Sequence, residues 1–164
     1  MTNDERIRAA WQGRISGCLL GKPVEIISMR EGPEGLNDFL EKSGSLPLRD
    51  YVNYMDHELL RGANKKCCLG MIDKAEVDDD ITYLVLALMM MENHGLDLST
   101  DDVARTWINM LPVGATFTAE RDSYLKLIQK SDMAYQFGGP RRFEWDEIND
   151  GEYNDWIGAQ IRID

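Results

Sequence analysis

The stretch EVDDDITYLVLALMMMENHG, Glu76 to Gly95, constrains the fold more than any other, because three aspartates stand directly before an apolar run. The run Tyr83–Met91 spans nine residues and has no polar face, which predicts a central, buried helix. It is far shorter than the roughly 20 residues needed to cross a bilayer. The helix is predicted over Asp80–His94, with Gly95 as its C-terminal stop.

Local signals predict a second helix at the N-terminus. Thr2 and Glu5 have the spacing of a capping box, and apolar residues at helical spacing follow them. We expect this helix to end near Gly21-Lys22-Pro23, since proline disfavours a helical conformation in the residue before it. Three glycines recur there at every fourth position: Gly13, Gly17 and Gly21. Each costs up to ~1 kcal/mol relative to alanine, so another backbone is expected to approach them closely.

Two further helices are predicted downstream of the apolar run. One has Ser99 or Thr100 as its cap and Pro112 as its terminator. The other covers residues 118–130, and its apolar stripe consists of Tyr124, Leu125 and Ile128.

The rest of the chain offers weaker signals. Residues 26–75 are rich in turn residues, which predicts an irregular surface excursion with a short helix around Leu36 to Lys42. No alternating strand pattern of useful length occurs. The predicted fold class is therefore all-α, a multi-helical single domain over residues 1–164.

Composition excludes several classes of function. The formal net charge of −11 argues against a nucleic-acid backbone or an anionic membrane as partner. The three cysteines include the adjacent pair Cys67–Cys68, so a disulfide framework is not expected. The polar N-terminal residues lack the apolar core of a signal peptide. Together these features predict a cytoplasmic protein.

The acidic triplet Asp78, Asp79 and Asp80 allows two interpretations. It can be a solvated helix start, since each carboxylate gains about 0.3–1 kcal/mol from the helix dipole. It can also be a divalent-cation site, because two carboxylates about 4 Å apart repel by about 4 kcal/mol at an effective dielectric near 20. An EF-hand loop over Asp146–Ile157 is excluded, because Ile148 and Ile157 stand where oxygen ligands belong.

Three segments in order carry a family resemblance: RIRAAWQGRISGCLLGKPVE, VDDDITYLVLAL and NDWIGAQIRID. The first is similar to a glycine-spaced opening helix with a Gly-x-Pro-x-Glu turn. The second resembles a Thr-Asp-Asp-Thr motif that enters a buried helix. The third is similar to a small-residue segment that ends in an apolar residue and arginine. The set resembles the ADP-ribosylglycohydrolase family, which includes dinitrogenase-reductase-activating glycohydrolases and jellyfish crystallins.

The resemblance implies an all-α fold around a pair of Mg²⁺ or Mn²⁺ ions, and hydrolysis at the anomeric carbon of the distal ribose of an ADP-ribosyl group. It implies metal binding by the acidic triplet and catalytic roles for Glu25, Asp79 and Asp80. It also places Gly158 near the substrate. The implied partner is an ADP-ribosylated protein or a small ADP-ribose derivative.

The family's second half supplies another Asp-x-Asp-Thr motif, and this chain of 164 residues has none. We therefore expect the N-terminal half of a larger helical fold, which a complementing C-terminal half would complete. Two alternatives stay open at this point. One is a non-catalytic, crystallin-like module that self-associates through uncovered apolar surface. The other is a metal-dependent hydrolase of another nucleotide or glycoside.

Overall fold

The computed structural model describes residues 1–130, 142–153 and 156, and within them α-helices dominate. These residues form no strand, and Asn53 and Leu69 form an isolated bridge. The prediction of an all-α fold is thus confirmed at the level of class. No helix in the described ranges is both long and apolar enough to span a membrane. The α-helices are α1 (Asn3–Lys42), α2 (Ala63–Lys66), α3 (Asp79–His94), α4 (Thr100–Met110), α5 (Thr118–Gln129) and α6 (Trp145–Ile148).

The chain divides into two compact units, Met1–Ile81 and Thr82–Asp164. Each unit has a hydrophobic core of its own. That a single helical domain covers residues 1–164 stays a prediction.

Helix α1 begins as predicted but runs much further. Thr2 accepts a hydrogen bond from the Glu5 amide at 3.3 Å, and the Glu5 carboxylate accepts one from the Thr2 amide at 2.7 Å. The expected end near Pro23 is wrong, because α1 continues to Lys42. An interior proline costs about 3 kcal/mol, but the Pro23 ring is fully buried, and that burial offsets part of the cost.

Helix α1 has its real interruption at Gly32, where φ is 71° and ψ is −172°. Glycine adopts this positive φ without the steric penalty of a Cβ atom. Pro33 follows directly, at the start of the next helical segment, where its missing N–H would have had no intrahelical partner. The predicted short helix over Leu36–Lys42 is confirmed as the last part of α1.

The glycine spacing on α1 does not mark a close backbone contact. A Cβ atom added at Gly13, Gly17 or Gly21 would meet no atom of the described chain within 4 Å, apart from its own helix backbone and chain neighbours. The expected approach of another backbone is therefore wrong for these residues. The first turns of α1 are largely exposed to solvent.

The core of unit Met1–Ile81 joins α1 to the irregular segment that follows it. Ile27 and Phe39 of α1 pack with Val52, Leu60 and Cys68. Residues 43–62 and 67–75 are irregular as predicted, whereas residues 26–35 belong to α1 instead. The segment after α1 is not superficial, since Val52 and Cys68 are completely buried. All three cysteines are free thiols, as the sequence predicted.

In unit Thr82–Asp164, α3 buries one face only. Tyr83, Leu86 and Met90 lie in a core cluster, whereas Leu88 and Met91 are about half exposed, at 48% and 51%. The expectation of a helix buried on all sides is therefore wrong. Helix α3 ends at His94, and Gly95 follows with φ +67°, as predicted.

Helices α4 and α5 follow their sequence signals closely. Ser99 caps α4 by accepting from the Asp102 amide at 3.2 Å, which selects it over Thr100. The predicted stripe of α5 is wrong at two of its three positions, because Leu125 and Ile128 are 44% and 46% exposed and Leu127 is buried instead. Helix α5 also buries Tyr124, whose hydroxyl donates to the Ile108 carbonyl at 3.3 Å.

Candidate metal centre at the start of helix α3

In the residues that lead into α3, acidic side chains are shielded from solvent and the apolar side chain between them is exposed. The side chains of Glu76 and Asp78 are only 11% and 10% exposed, whereas Val77 between them is 77% exposed. Residues 75–78 have no regular secondary structure, and their packing turns the two carboxylates inward and the valine outward. Buried carboxylates require a cation or hydrogen-bond donors.

Lys22 supplies one such cation. Its ammonium Nζ donates to Asp78 Oδ2, and its side chain is 19% exposed. Burial lowers the pKa of Lys22, but the hydrogen bond and charge of Asp78 more than offset this effect, so the pKa lies above the ordinary 10.5. Lys22 is therefore charged at neutral pH. A second lysine, Lys66, lies 3.6 Å from Glu76 Oε1.

Asp80 is held by two further contacts. The Cys18 thiol donates to Asp80 Oδ2 at 3.7 Å, and the Asp80 amide donates to Asp78 Oδ1 at 3.1 Å. Burial, followed by the charges of Asp78 and Asp80, raises the pKa of Cys18 to about 12. Cys18 is therefore a protonated donor at neutral pH.

The ionised form of Asp79 is disfavoured by its surroundings. Burial raises the pKa of its carboxyl group above the ordinary 3.8, and the charge of Asp78 raises it further. A carboxylate whose ionised form is disfavoured in this way gains most from an added positive charge nearby.

The donor set fits a hard divalent cation. Donor atoms of Cys18, Asp78 and Asp80 all lie within 4.8 Å of one another. Carboxylate oxygens are the ligands that Mg²⁺ and Mn²⁺ prefer, whereas a protonated thiol is a poor ligand. One ion can be held here by the carboxylates with water in its other positions. Two ions would need more oxygen ligands than this group of residues offers.

The other predicted site residues lie elsewhere. Glu25 is exposed on α1, seven residues after Cys18 and so close to the same helix face. Neither Glu25 nor Asp79 belongs to the group of donor atoms formed by Cys18, Asp78 and Asp80. Gly158 lies outside the described residues.

The sequence interpretation missed the roles of Cys18 and Lys22. Both face the acidic triplet because they are four residues apart, which places them on one face of α1. That spacing could have been read from the sequence. The contact between Lys22 and Asp78 could not, because the two residues are 56 positions apart and no local signal predicts such a contact. Glu76 was also missed, because the sequence of an irregular segment does not indicate which of its side chains face inward.

A separate concavity of about 540 Å³ lies along residues 54–65. Lys65 Nζ lies 4.6 Å from the centre of the Tyr54 ring there. Both ring nitrogens of His57 have neighbours, since Nδ1 accepts from the Leu59 amide at 3.3 Å and Nε2 lies 3.3 Å from Glu31. This concavity contains none of the predicted site residues.

No family model matches the chain, and neither the curated proteins nor the solved structures contain a significant match to it.

Proposed function

We propose that this chain is a metal-dependent hydrolase of the ADP-ribosylglycohydrolase type, which cleaves the bond at the anomeric carbon of the distal ribose of an ADP-ribosyl group. One observation above all supports the metal site. Asp78 and Asp80 do not fan out into solvent but contact Lys22 and Cys18 of α1, with donor atoms of Asp78 and Asp80 within 4.8 Å of each other and of Cys18. The choice of substrate rests on the motif resemblance.

In the proposed mechanism Asp78, Asp79 and Asp80 hold Mg²⁺ or Mn²⁺. When bound, the ion supplies positive charge that polarises a ribose oxygen or a water molecule. The Cys18 thiol fixes the orientation of Asp80 by its hydrogen bond. Glu25, exposed on α1, is assigned to orient or deprotonate the attacking water, and Gly158 to approach the substrate.

Isothermal titration with Mg²⁺ and Mn²⁺ tests the metal site. We expect wild type to bind and Asp80→Asn to bind at least about tenfold more weakly, because one ligand charge of the donor group is lost. Asp38→Asn is the matched control, since Asp38 is an exposed carboxylate on α1 paired with Lys42, and it should bind like wild type. Equal heats from wild type and Asp80→Asn would remove the metal site.

Release of ADP-ribose tests the reaction. Wild type is incubated with a panel of N-linked and O-linked ADP-ribosyl compounds, with Mg²⁺ or with chelator, and free ADP-ribose is measured by chromatography. We expect release that requires metal and is lost in Asp80→Asn and reduced in Glu25→Gln. Metal binding without release from any compound would refute the hydrolase and leave the metal site standing.

A second candidate function is a self-associating module. The observation that favours it is a set of exposed apolar side chains in unit Thr82–Asp164. They include Val85, Leu88 and Met91 of α3 and Leu125 and Ile128 of α5. Sedimentation at several protein concentrations tests this function. A monomer at all concentrations would exclude it, and a dimer disrupted by Leu88→Gln would support it.

A further inference from the structure

Lys22 is the part of the acidic site that the proposed reaction does not use. Its ammonium group donates to Asp78, and the two side chains are 19% and 10% exposed. A comparable pair on the same helix, Lys42 and Asp38, is 64% and 58% exposed. Solvent screens the exposed pair strongly and the shielded pair weakly. The Lys22 charge therefore acts on Asp78 at nearly full strength.

The same Asp78 carboxylate belongs to the donor group with Asp80 and Cys18. A divalent ion placed on these donors would lie within a few ångströms of the Lys22 ammonium group. Two cations at that distance in a shielded site repel each other strongly. Asp78 can therefore form a close ion pair with Lys22 or bind the metal ion, but it cannot do both at once.

We infer that Lys22 is the resident counter-ion of the acidic triplet and competes with the divalent cation for Asp78. Without metal, the ammonium group keeps Asp78 turned inward, so the site is already assembled when an ion arrives. With metal, Lys22 must leave Asp78, and this loss weakens the observed affinity. The inference rests on the proposed metal site.

Calorimetry on Lys22→Met, Lys22→Arg and Lys42→Met tests the competition. We expect Lys22→Met to bind Mg²⁺ and Mn²⁺ about tenfold more tightly than wild type, because the competing charge is gone. Lys22→Arg keeps the charge and should bind like wild type. Lys42→Met removes a charge from an exposed pair and should also bind like wild type.

Thermal unfolding gives a second readout that does not depend on activity. In chelator, Lys22→Met should melt at a lower temperature than wild type, because Asp78 is left without its cation. Saturating Mg²⁺ should raise the melting temperature of Lys22→Met by more than that of wild type. Lys42→Met should show neither difference.

A third measurement uses wild type itself, in case Lys22→Met does not fold. The Lys22 ammonium signal in ¹H–¹⁵N spectra, assigned by its loss in Lys22→Arg, should shift or disappear when Mg²⁺ saturates the site. A signal that Mg²⁺ leaves unchanged, or a Lys22→Met affinity equal to that of wild type, would overturn the inference alone. An absence of metal binding by wild type and Lys22→Met would overturn the proposed metal site, and the inference with it.

Discussion

Breaking the Lys22–Asp78 ion pair should destabilise the protein by an amount that depends on which partner is removed. Removing one partner of a fully buried pair costs about 3–5 kcal/mol. Because these side chains are still 19% and 10% exposed, we expect about 2–4 kcal/mol for Lys22→Met, which leaves a shielded carboxylate without its cation. Asp78→Asn should cost less, about 1–3 kcal/mol, because the ammonium group still feels the charge of Asp79.

The double variant Lys22→Met/Asp78→Asn should be less destabilised than the sum of the two single variants. With no charge left unpaired, we expect a coupling free energy of about 1.5–3 kcal/mol. Urea unfolding followed by circular dichroism, in chelator at neutral pH, measures all four proteins of the cycle. The Lys42–Asp38 pair, exposed on α1, provides a control cycle with an expected coupling of about 0–1 kcal/mol. Additive losses within about 0.5 kcal/mol at Lys22 and Asp78 would refute the reasoning.

Three further predictions concern single residues. Asp79→Asn should raise the urea midpoint in chelator at pH 7, because burial and the charge of Asp78 raise the pKa of Asp79 and so disfavour its ionised form. In wild type, the stability that protonated Asp79 contributes is fully present below pH 3.8 and is lost as the pH rises. The advantage of Asp79→Asn over wild type should therefore vanish in acid. Cys18, whose pKa is about 12, should react with iodoacetamide at pH 9 far more slowly in folded than in urea-unfolded protein, as mass spectrometry of its peptide would show. Ile27→Ala, at a fully buried position, should cost about 2–5 kcal/mol in urea unfolding, whereas Met29→Ala, at a position 73% exposed, should change little.

Helix signals that act within one or two turns were reliable in this sequence. The capping residues Thr2 and Ser99 and the stop at Gly95 are local, since a hydrogen bond or a positive φ within a few residues decides each of them. The failure at Pro23 has a different cause. A local rule assigns a helix end there, but tertiary burial of the Pro23 ring and of Ile27 one turn later stabilises the continuous helix.

The sequence predicted the acidic residues of the candidate site but not the residues that pair with them. Three adjacent aspartates attract notice because they repel one another, and two of them, Asp78 and Asp80, contact α1 in the structure. What the sequence could not show is that the chain provides its own cation, because Lys22 meets Asp78 across a separation of 56 residues. Likewise, the inward direction of Glu76 depends on how a short irregular segment packs. So few residues show no periodic pattern from which this direction could be predicted.

The exposed Val77 between two shielded carboxylates has a consequence for how this segment finds its alignment. A slip that exchanged their places would bury the valine and expose both acids, which hydrophobic burial alone would favour. Lysine ammonium groups beside Glu76 and Asp78 oppose that slip. Charge thus helps to set the alignment here, and because Lys22 and Asp78 are shielded, added salt should weaken this effect far less than it weakens the exposed pair of Lys42 and Asp38.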